Sequence, residues 1–241
     1  MKFKVLAVGA VLVLGVALNA LAVPPGRQQS DAERIYLGVT GTIALENDHV
    51  LVQRFFIPPG QSTGHHAHAG HQLLVFIKGG VLTSDTGKAT IWPDGRVVWL
   101  QEAGQDGGGT NSGRTPIELV WVTLKPQSRA ASAGNAPKYG YLNYPRIPGE
   151  DVLENDDVIV QRYKMDPGDW EGIHAHNANT FYIFIKGGQW LSKSRAYPLG
   201  VRGSAGDGLV AWMDPIELSD DHQSGNVGTT STEVVWVALK K

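Results

Sequence analysis

The chain contains the same segment twice, and this duplication constrains its fold more than any other feature. When Leu45 to Gly80 is aligned with Leu153 to Gly188, an offset of 108 residues, 19 of the 36 positions are identical without a gap. A second pair of segments, Ile117 to Lys125 and Thr232 to Lys240, repeats at an offset of 115. The sequence therefore predicts two homologous domains of roughly 100 residues each.

Each copy consists of short segments rich in β-branched and aromatic residues. Examples from the first copy are VLVQRFFI, QLLVFIKGG, GRVVWL and IELVWVTLK, and turn-forming pairs separate them. Beyond the N-terminal segment, no stretch shows a helical period, so we predict an all-β protein of two tandem barrels or sandwiches. The runs LLVFI and FYIFI are apolar throughout, which predicts strands covered on both faces, one by the barrel interior and one by another sheet or the sister domain. The Gly-Gly pairs Gly79-Gly80 and Gly187-Gly188 predict hairpins with positive φ.

Residues 1–22 have the pattern of a secretory signal peptide. Lys2 and Lys4 precede an apolar run from Val5 to Leu18, and Ala20-Leu21-Ala22 provides the small residues needed for cleavage after Ala22. The run is shorter than the roughly 20 residues that span a bilayer, so we favour a signal peptide over a membrane anchor. The sequence thus predicts a periplasmic or secreted protein with no stable membrane anchor after cleavage.

The two domains are predicted at residues 23–125 and 139–241. The segment 126–138, rich in Ala, Ser, Gly and Pro, is the predicted linker. Because the chain has no cysteine, an exported form has no disulfide and depends on its core for stability. The formal net charge of −2 comes without a basic face, so nucleic acid is not a predicted partner.

The second copy carries two histidines one residue apart, His174 and His176, just before an apolar run. If Gly172 to Lys186 forms one strand, both imidazoles point to the same face. Two imidazoles at this spacing can bind one metal ion, but a metal site needs further ligands. The candidate for a third ligand is His222, which lies just before the closing strand.

These residues resemble the two conserved motifs of the cupin family, and the resemblance covers nearly the whole chain after the signal peptide. The first motif matches Gly168, His174, His176 and Gly187 or Gly188, and the second matches Gly208, Val210, Trp212, His222, Asn226 and Gly228. The resemblance implies a bicupin: two tandem jelly-roll barrels related by internal duplication. It also implies a divalent metal ion bound by His174, His176 and His222. Cupins often add a glutamate four residues after the second histidine, where this copy has Thr180.

The first copy departs further from the family pattern. Its histidine pair is His66 and His68, and Gln72 stands at the glutamate position, so the resemblance implies a weaker second site of these three residues. The third histidine is missing, because counting back four residues from Asn111 reaches a glycine. Two interpretations remain open: Asp106 takes its place, or the site has been lost.

The parity of Thr180, Tyr182 and Phe184 matches that of the histidine pair, so these residues are predicted to line a partly aromatic pocket for a small organic molecule. A site without glutamate leaves zinc, iron, copper and nickel open and disfavours manganese. The resemblance implies an exported metal-dependent bicupin of oxygenase, isomerase or lyase type, with no catalytic acid or base identified. The alternative is a non-enzymatic small-ligand-binding or structural bicupin with a stabilising or vestigial metal site. A homodimer and a monomer with internal pseudo-symmetry are both open.

Overall fold

The structure is a computed structural model that describes residues 38–39, 41–68, 70–125, 142–176 and 179–240. The predicted signal peptide and the predicted linker lie outside the described residues. Within these residues, no helix is long and apolar enough to cross a membrane.

Strands account for the regular structure of both copies. The described part of the first copy contains ten: β1 (Thr42–Glu46), β2 (Val50–Ile57), β3 (His66–His68), β4 (Gln72–Lys78), β5 (Gly80–Ser84), β6 (Ala89–Trp92), β7 (Val97–Leu100), β8 (Ala103–Asp106), β9 (Gly109–Asn111) and β10 (Ile117–Leu124). The described part of the second copy contains eight: β11 (Glu150–Glu154), β12 (Val158–Met165), β13 (Thr180–Lys186), β14 (Gly188–Lys193), β15 (Val201–Ala205), β16 (Val210–Met213), β17 (Gln223–Asn226) and β18 (Thr232–Leu239), together with one 3₁₀ turn at Leu218–Asp220. The predicted all-β class is confirmed.

Each copy forms a jelly-roll barrel from a five-stranded and a three-stranded antiparallel sheet. The five-stranded sheets have the orders β1-β2-β10-β4-β7 and β11-β12-β18-β13-β16, and the three-stranded sheets have the orders β6-β5-β9 and β15-β14-β17. Even an irregularity is duplicated: the register shifts between Ile43 and Leu45 in β1 and between Asp151 and Leu153 in β11. The internal duplication predicted from the sequence is therefore present in the topology.

Strand β4 is buried on both faces because its alternating residues belong to two different cores. Leu74 and Phe76 pack inside the first barrel, whereas Leu73 and Val75 belong to a core shared with the second barrel. The equivalent strand β13 behaves in the same way, with Phe184 inside its barrel and Phe181 and Ile183 in the shared core. The apolar runs thus gain the hydrophobic stabilisation of two interfaces, and the sister domain is the second cover.

Two equivalent arginines connect the barrels at the edges of the shared core. Arg54 on β2 pairs with Glu118 and donates to the carbonyl oxygen of Asp207, in the turn before β16. Arg162 on β12 lies 3.5 Å from Glu233 and donates to the carbonyl oxygen of Gly95, in the turn before β7. Each barrel therefore binds a turn of the other, as the subunits of a two-fold symmetric pair do.

The prediction of positive φ at the two Gly-Gly pairs is wrong, since none of these four glycines has one. They occur instead where the chain passes from the five-stranded sheet to the three-stranded sheet, and the backbone of another segment lies close to them there. A Cβ atom on Gly79 would lie 1.8 Å from the carbonyl oxygen of Trp92, and one on Gly187 would lie 2.2 Å from that of Ala205. Glycine is required there because no side chain fits.

Candidate metal centre

The histidine pair of the second barrel does not lie on a strand that continues into the apolar run. Strand β13 begins at Thr180, and Asn179 just before it has a φ of 56°. A non-glycine residue in this left-handed region ends extended structure. The predicted single strand from Gly172 to Lys186 is therefore interrupted between the histidines and the apolar run.

Backbone hydrogen bonds position the histidine segment against the loop that carries His222. The N–H of His174 donates to the carbonyl oxygen of His222 at 3.0 Å, and His176 exchanges two backbone hydrogen bonds with Ile216. Because of this pairing, His222 lies directly across from the histidine pair although it is far along the chain.

The three imidazole rings converge on one point inside the barrel. Their candidate ligand nitrogens all lie within 4.8 Å of one another, and the Nε2 atoms of His174 and His176 are 2.8 Å apart. The ring centroids of His174 and His222 are 4.9 Å apart, and those of His176 and His222 are 5.2 Å apart. The side chains are buried, with His176 only 2% exposed. The structure thus brings together the three residues that the sequence predicted.

Burial keeps these imidazoles neutral. It lowers the pKa of His174 to about 4, and burial together with the neighbouring imidazoles lowers the pKa of His176 to about 2. Burial also lowers the pKa of His222. Since metal ions bind only unprotonated imidazole, these pKa values remove proton competition at neutral pH.

The hydrogen bonding of His174 fits a metal ligand. Its Nδ1 lies 2.9 Å from the carbonyl oxygen of Gly172, and a carbonyl oxygen only accepts, so Nδ1 carries the proton. The lone pair is then on Nε2, which faces His176. Metal-binding histidines are commonly oriented by such a bond to a backbone carbonyl. The donor set therefore suits a divalent ion.

A buried carboxyl group next to the histidines was missed in the sequence analysis. Glu171 is 6% exposed, and its Oε2 lies 3.9 Å from the Nε2 of His174. Burial raises the pKa of Glu171 to about 8, although hydrogen bonds from Ser224 and Tyr144 act against this shift. The aligned residue of the first copy, 108 positions earlier, is Thr63. This replacement of threonine by glutamate was the signal that the sequence offered.

Aromatic rings surround the histidine cluster on the inner face of the barrel. The ring centroid of Tyr144 lies 4.6 Å from that of His174. The ring centroid of Trp236 lies 4.8 Å from that of His176 and 4.9 Å from that of Tyr182. Tyr182 and Phe184 pack in this inner core, and Thr180 shares their strand parity. The structure thus places the three pocket candidates on the predicted face, and their role in ligand binding stays a prediction.

The acidic residues of the loop before His222 face solvent. Asp214, Glu217 and Asp220 are exposed, and Asp221 pairs with Arg195 at 3.1 Å. The carboxylate nearest the histidines therefore comes from Glu171 and not from this loop.

The first barrel gathers a different set of groups at the equivalent place. His66, His68 and Asp106 have ligand atoms within 4.8 Å of one another, and the Nε2 of His68 lies 3.1 Å from a carboxylate oxygen of Asp106. Gln72 donates its amide N–H to the hydroxyl of Thr123 at 3.3 Å, and its assignment as a ligand stays a prediction. Of the two interpretations left open by the sequence, Asp106 at the position of the third histidine is the one that the geometry favours.

A cavity of about 210 Å³ adjoins the first-barrel cluster, and Leu74, Phe76 and Trp121 are among its lining residues. A larger cavity of about 430 Å³ lies between the loops near Gly187 and Thr230 of the second barrel. None of the histidines lines the larger cavity, so we do not assign the chemistry to it.

The sequence matches no protein-family model and no curated protein. The structure, in contrast, resembles solved structures over most of its length. AerE from Microcystis aeruginosa has a TM-score of 0.53 at 10% identity, over 86% of this chain and 100% of that chain.

Salicylate 1,2-dioxygenase from Pseudaminobacter salicylatoxidans has a TM-score of 0.52 at 9% identity, over 84% of this chain and 76% of that chain. A mutant of this enzyme in complex with gentisate has a TM-score of 0.53 at 9% identity, over 86% of this chain and 76% of that chain. At these identities the likeness shows the fold alone. That fold is all-β, and it is present here as two tandem jelly-roll barrels.

Proposed function

We propose that the second barrel binds one divalent metal ion through His174, His176 and His222 and that this site acts on a small organic molecule. The observation that carries the proposal is the convergence of three buried, neutral imidazoles within 4.8 Å. Three protein ligands with a further position open to water or substrate are typical of catalytic metal sites.

The residues around the cluster have two tasks in this proposal. Gly172 orients His174 through its carbonyl oxygen, and the rings of Tyr144, Tyr182 and Trp236 keep bulk water from the histidines. A bound divalent ion would supply Lewis-acid activation of water or of a substrate oxygen. Exclusion of water strengthens such electrostatic interactions.

The inner face favours a small neutral or aromatic substrate, because aromatic side chains line it. An oxygenase, an isomerase or a lyase of the cupin type is consistent with this surface, and one structural neighbour is a salicylate dioxygenase. Zinc, iron, copper and nickel suit a site rich in imidazole. The identity of the metal decides the next assay, since iron directs it to oxygenation and zinc to hydrolysis or isomerisation.

We also propose that the protein is exported, as a bicupin that is periplasmic or secreted after cleavage behind Ala22. The support is the charged, apolar and small-residue pattern of residues 1–22. N-terminal sequencing of protein recovered from the expressing cells tests this directly. A mature chain that begins at Val23 is expected, and a chain that retains Met1 in an export-competent host would contradict it.

Elemental analysis tests the metal proposal. Protein beginning at Val23, purified without a histidine tag, is compared with the His176→Ala variant and with the matched control His65→Ala, which removes an exposed histidine. We expect His176→Ala to lose one metal ion per chain and the control to lose none. Full metal content in His176→Ala would overturn the proposal.

A second candidate function is a non-enzymatic bicupin whose metal ion only stabilises the fold. The burial of all three histidines, with Tyr144 packed against His174, favours this alternative. Addition of azide to the cobalt(II)-loaded protein distinguishes the two functions. A change in the metal's absorption spectrum indicates an open coordination position and favours catalysis, whereas an unchanged spectrum favours the stabilising role.

A further inference from the structure

Glu171 is a buried acid for which the fold provides no cation. It is 6% exposed, and among the contacts of the described residues it has no lysine or arginine partner. Glu118 in the first barrel is similarly buried, at 4% exposed, but it pairs with Arg54. A buried acid without a compensating charge is costly to ionise, so proteins rarely retain one without a reason.

The backbone hydrogen bond from Ser224 to Glu171 does not supply that reason. Its Oε2 accepts the N–H of Ser224 at 2.9 Å. In the first barrel the equivalent Thr63 accepts the N–H of Gly109 through its hydroxyl, also at 2.9 Å. Because a neutral hydroxyl accepts the equivalent N–H in the sister barrel, this hydrogen bond does not require a carboxylate.

The position of Glu171 supplies a better reason. Its Oε2 is 3.9 Å from the Nε2 of His174. Ligand atoms that each lie roughly 2.1 Å from one ion are about 3 to 4 Å apart. The carboxylate stands outside the tighter group formed by the three imidazole nitrogens, so coordination requires its side chain to turn inward.

We propose that Glu171 is a fourth ligand of the ion that His174, His176 and His222 bind. The inference rests on the proposed function, since it concerns the same ion. The donor set is then three nitrogens and one carboxylate oxygen, and the ion provides the positive charge that the fold does not. A carboxylate ligand also makes the site harder than the histidines alone, which opens it to manganese as well.

Cobalt(II) binding to the metal-stripped protein tests this inference. The informative variant is Glu171→Thr, which installs the residue of the sister barrel and keeps an acceptor for the N–H of Ser224. Glu171→Gln provides a second variant of nearly the same shape. The matched control is Asp214→Asn, which removes an exposed carboxylate from the same barrel.

We expect both Glu171 variants to bind Co²⁺ at least tenfold more weakly than the wild-type protein and to show a changed visible absorption spectrum, while Asp214→Asn matches the wild type. Far-UV circular dichroism identifies any variant that fails to fold. The Co²⁺ affinity of a Glu171 variant that does fold then decides whether Glu171 is a ligand. Wild-type affinity and spectrum in a folded Glu171 variant would overturn the inference.

The failure of this inference is distinguishable from the failure of the proposed function. If His176→Ala abolishes Co²⁺ binding to the second barrel and Glu171→Thr does not weaken it, only the role of Glu171 is lost. If wild-type protein and His176→Ala bind Co²⁺ alike, the metal centre itself is absent and both proposals fail.

Discussion

The two barrels share one scaffold and differ in the groups that they bring to one place. In the first barrel Asp106 lies across from His66 in the pairing of β3 with β8. In the second barrel the equivalent partner of His174 is His222, whose carbonyl oxygen accepts the N–H of His174. The backbone therefore fixes the position of the third side chain of each cluster, and the residue type at that position differs between the barrels.

The environments of the two clusters differ as well. The carboxylate side chain of Asp106 is 46% exposed, whereas His222 is buried. Burial alone would raise the pKa of Asp106, but its hydrogen bonds with His68 and Gly108 lower it overall. Two histidines and an ionised carboxylate form a donor set typical of non-haem iron sites. The comparison shows one buried and one partly exposed cluster, and we expect the two to differ in metal preference.

Exchanging the third side chain of each cluster, His222 and Asp106, gives the largest expected effect on metal affinity. His222→Asp should lower the Co²⁺ affinity of the second barrel by about 100-fold, about 2.8 kcal/mol, because it removes a converging imidazole and buries a second carboxylate beside Glu171. Asp106→His should raise the Co²⁺ affinity of the first barrel. Isothermal titration of each variant, in a background where His176→Ala or His68→Ala removes the other site, measures both. Equal affinities before and after the exchange would mean that the third position does not bind the ion.

The two inter-barrel arginines provide a second, smaller contrast. Arg54→Ala leaves Glu118 buried without a cation, so we expect a loss of about 3 kcal/mol in the free energy of unfolding. Arg162→Ala should cost about 1 kcal/mol, because its partners Glu233 and Glu150 are more exposed. Urea unfolding of both variants checks the difference. Similar losses would show that the burial of Glu118 does not distinguish the two arginines.

Part of this structure could be predicted because the duplication repeats a local pattern. The bounds of β2, Val50–Ile57, follow from its β-branched and aromatic residues, and the strand parity places Tyr182 and Phe184 on the inner face. The interruption before β13 could not be predicted, since it depends on the left-handed conformation of Asn179. Positive φ at a non-glycine residue is a local exception that the pattern of apolar residues does not show.

The carboxylates of both sites were harder to predict because they depend on non-local pairing. Counting along the sequence reaches Gly107, but Gly108 has a positive φ of 76° and the register places Asp106 across from His66 instead. Glu171 reaches His174 only because the chain before the histidines pairs with the strand after His222, through the hydrogen bond of its N–H with the carbonyl oxygen of Ser224. Sequence spacing alone contains neither relation.

The smallest expected difference between the barrels concerns the pH dependence of the free energy of unfolding in the metal-free protein, to which buried groups of the second barrel contribute. The folded pKa of Glu171 is raised from 4.5 to about 8, so the folded state holds a proton that the unfolded chain releases, and stability falls as pH rises between these values. The pKa values of His174 and His176 are lowered from 6.5 to about 4 and about 2, so stability falls as pH drops below 6.5. Together these groups predict a stability maximum near pH 6.5, with a loss of about 2 kcal/mol by roughly pH 8.

Two variants test which groups cause the loss of stability on each side of this pH maximum. Glu171→Thr should flatten the alkaline side, because Thr63 shows that a hydroxyl serves the same hydrogen bond without a titrating group. His174→Asn should reduce the loss of stability on the acidic side of the maximum. Urea unfolding of EDTA-treated protein between pH 5 and pH 8 measures both. If Glu171→Thr retains the alkaline loss, the titrating group lies elsewhere, and the burial of Glu171 is then not the cause of the difference between the barrels.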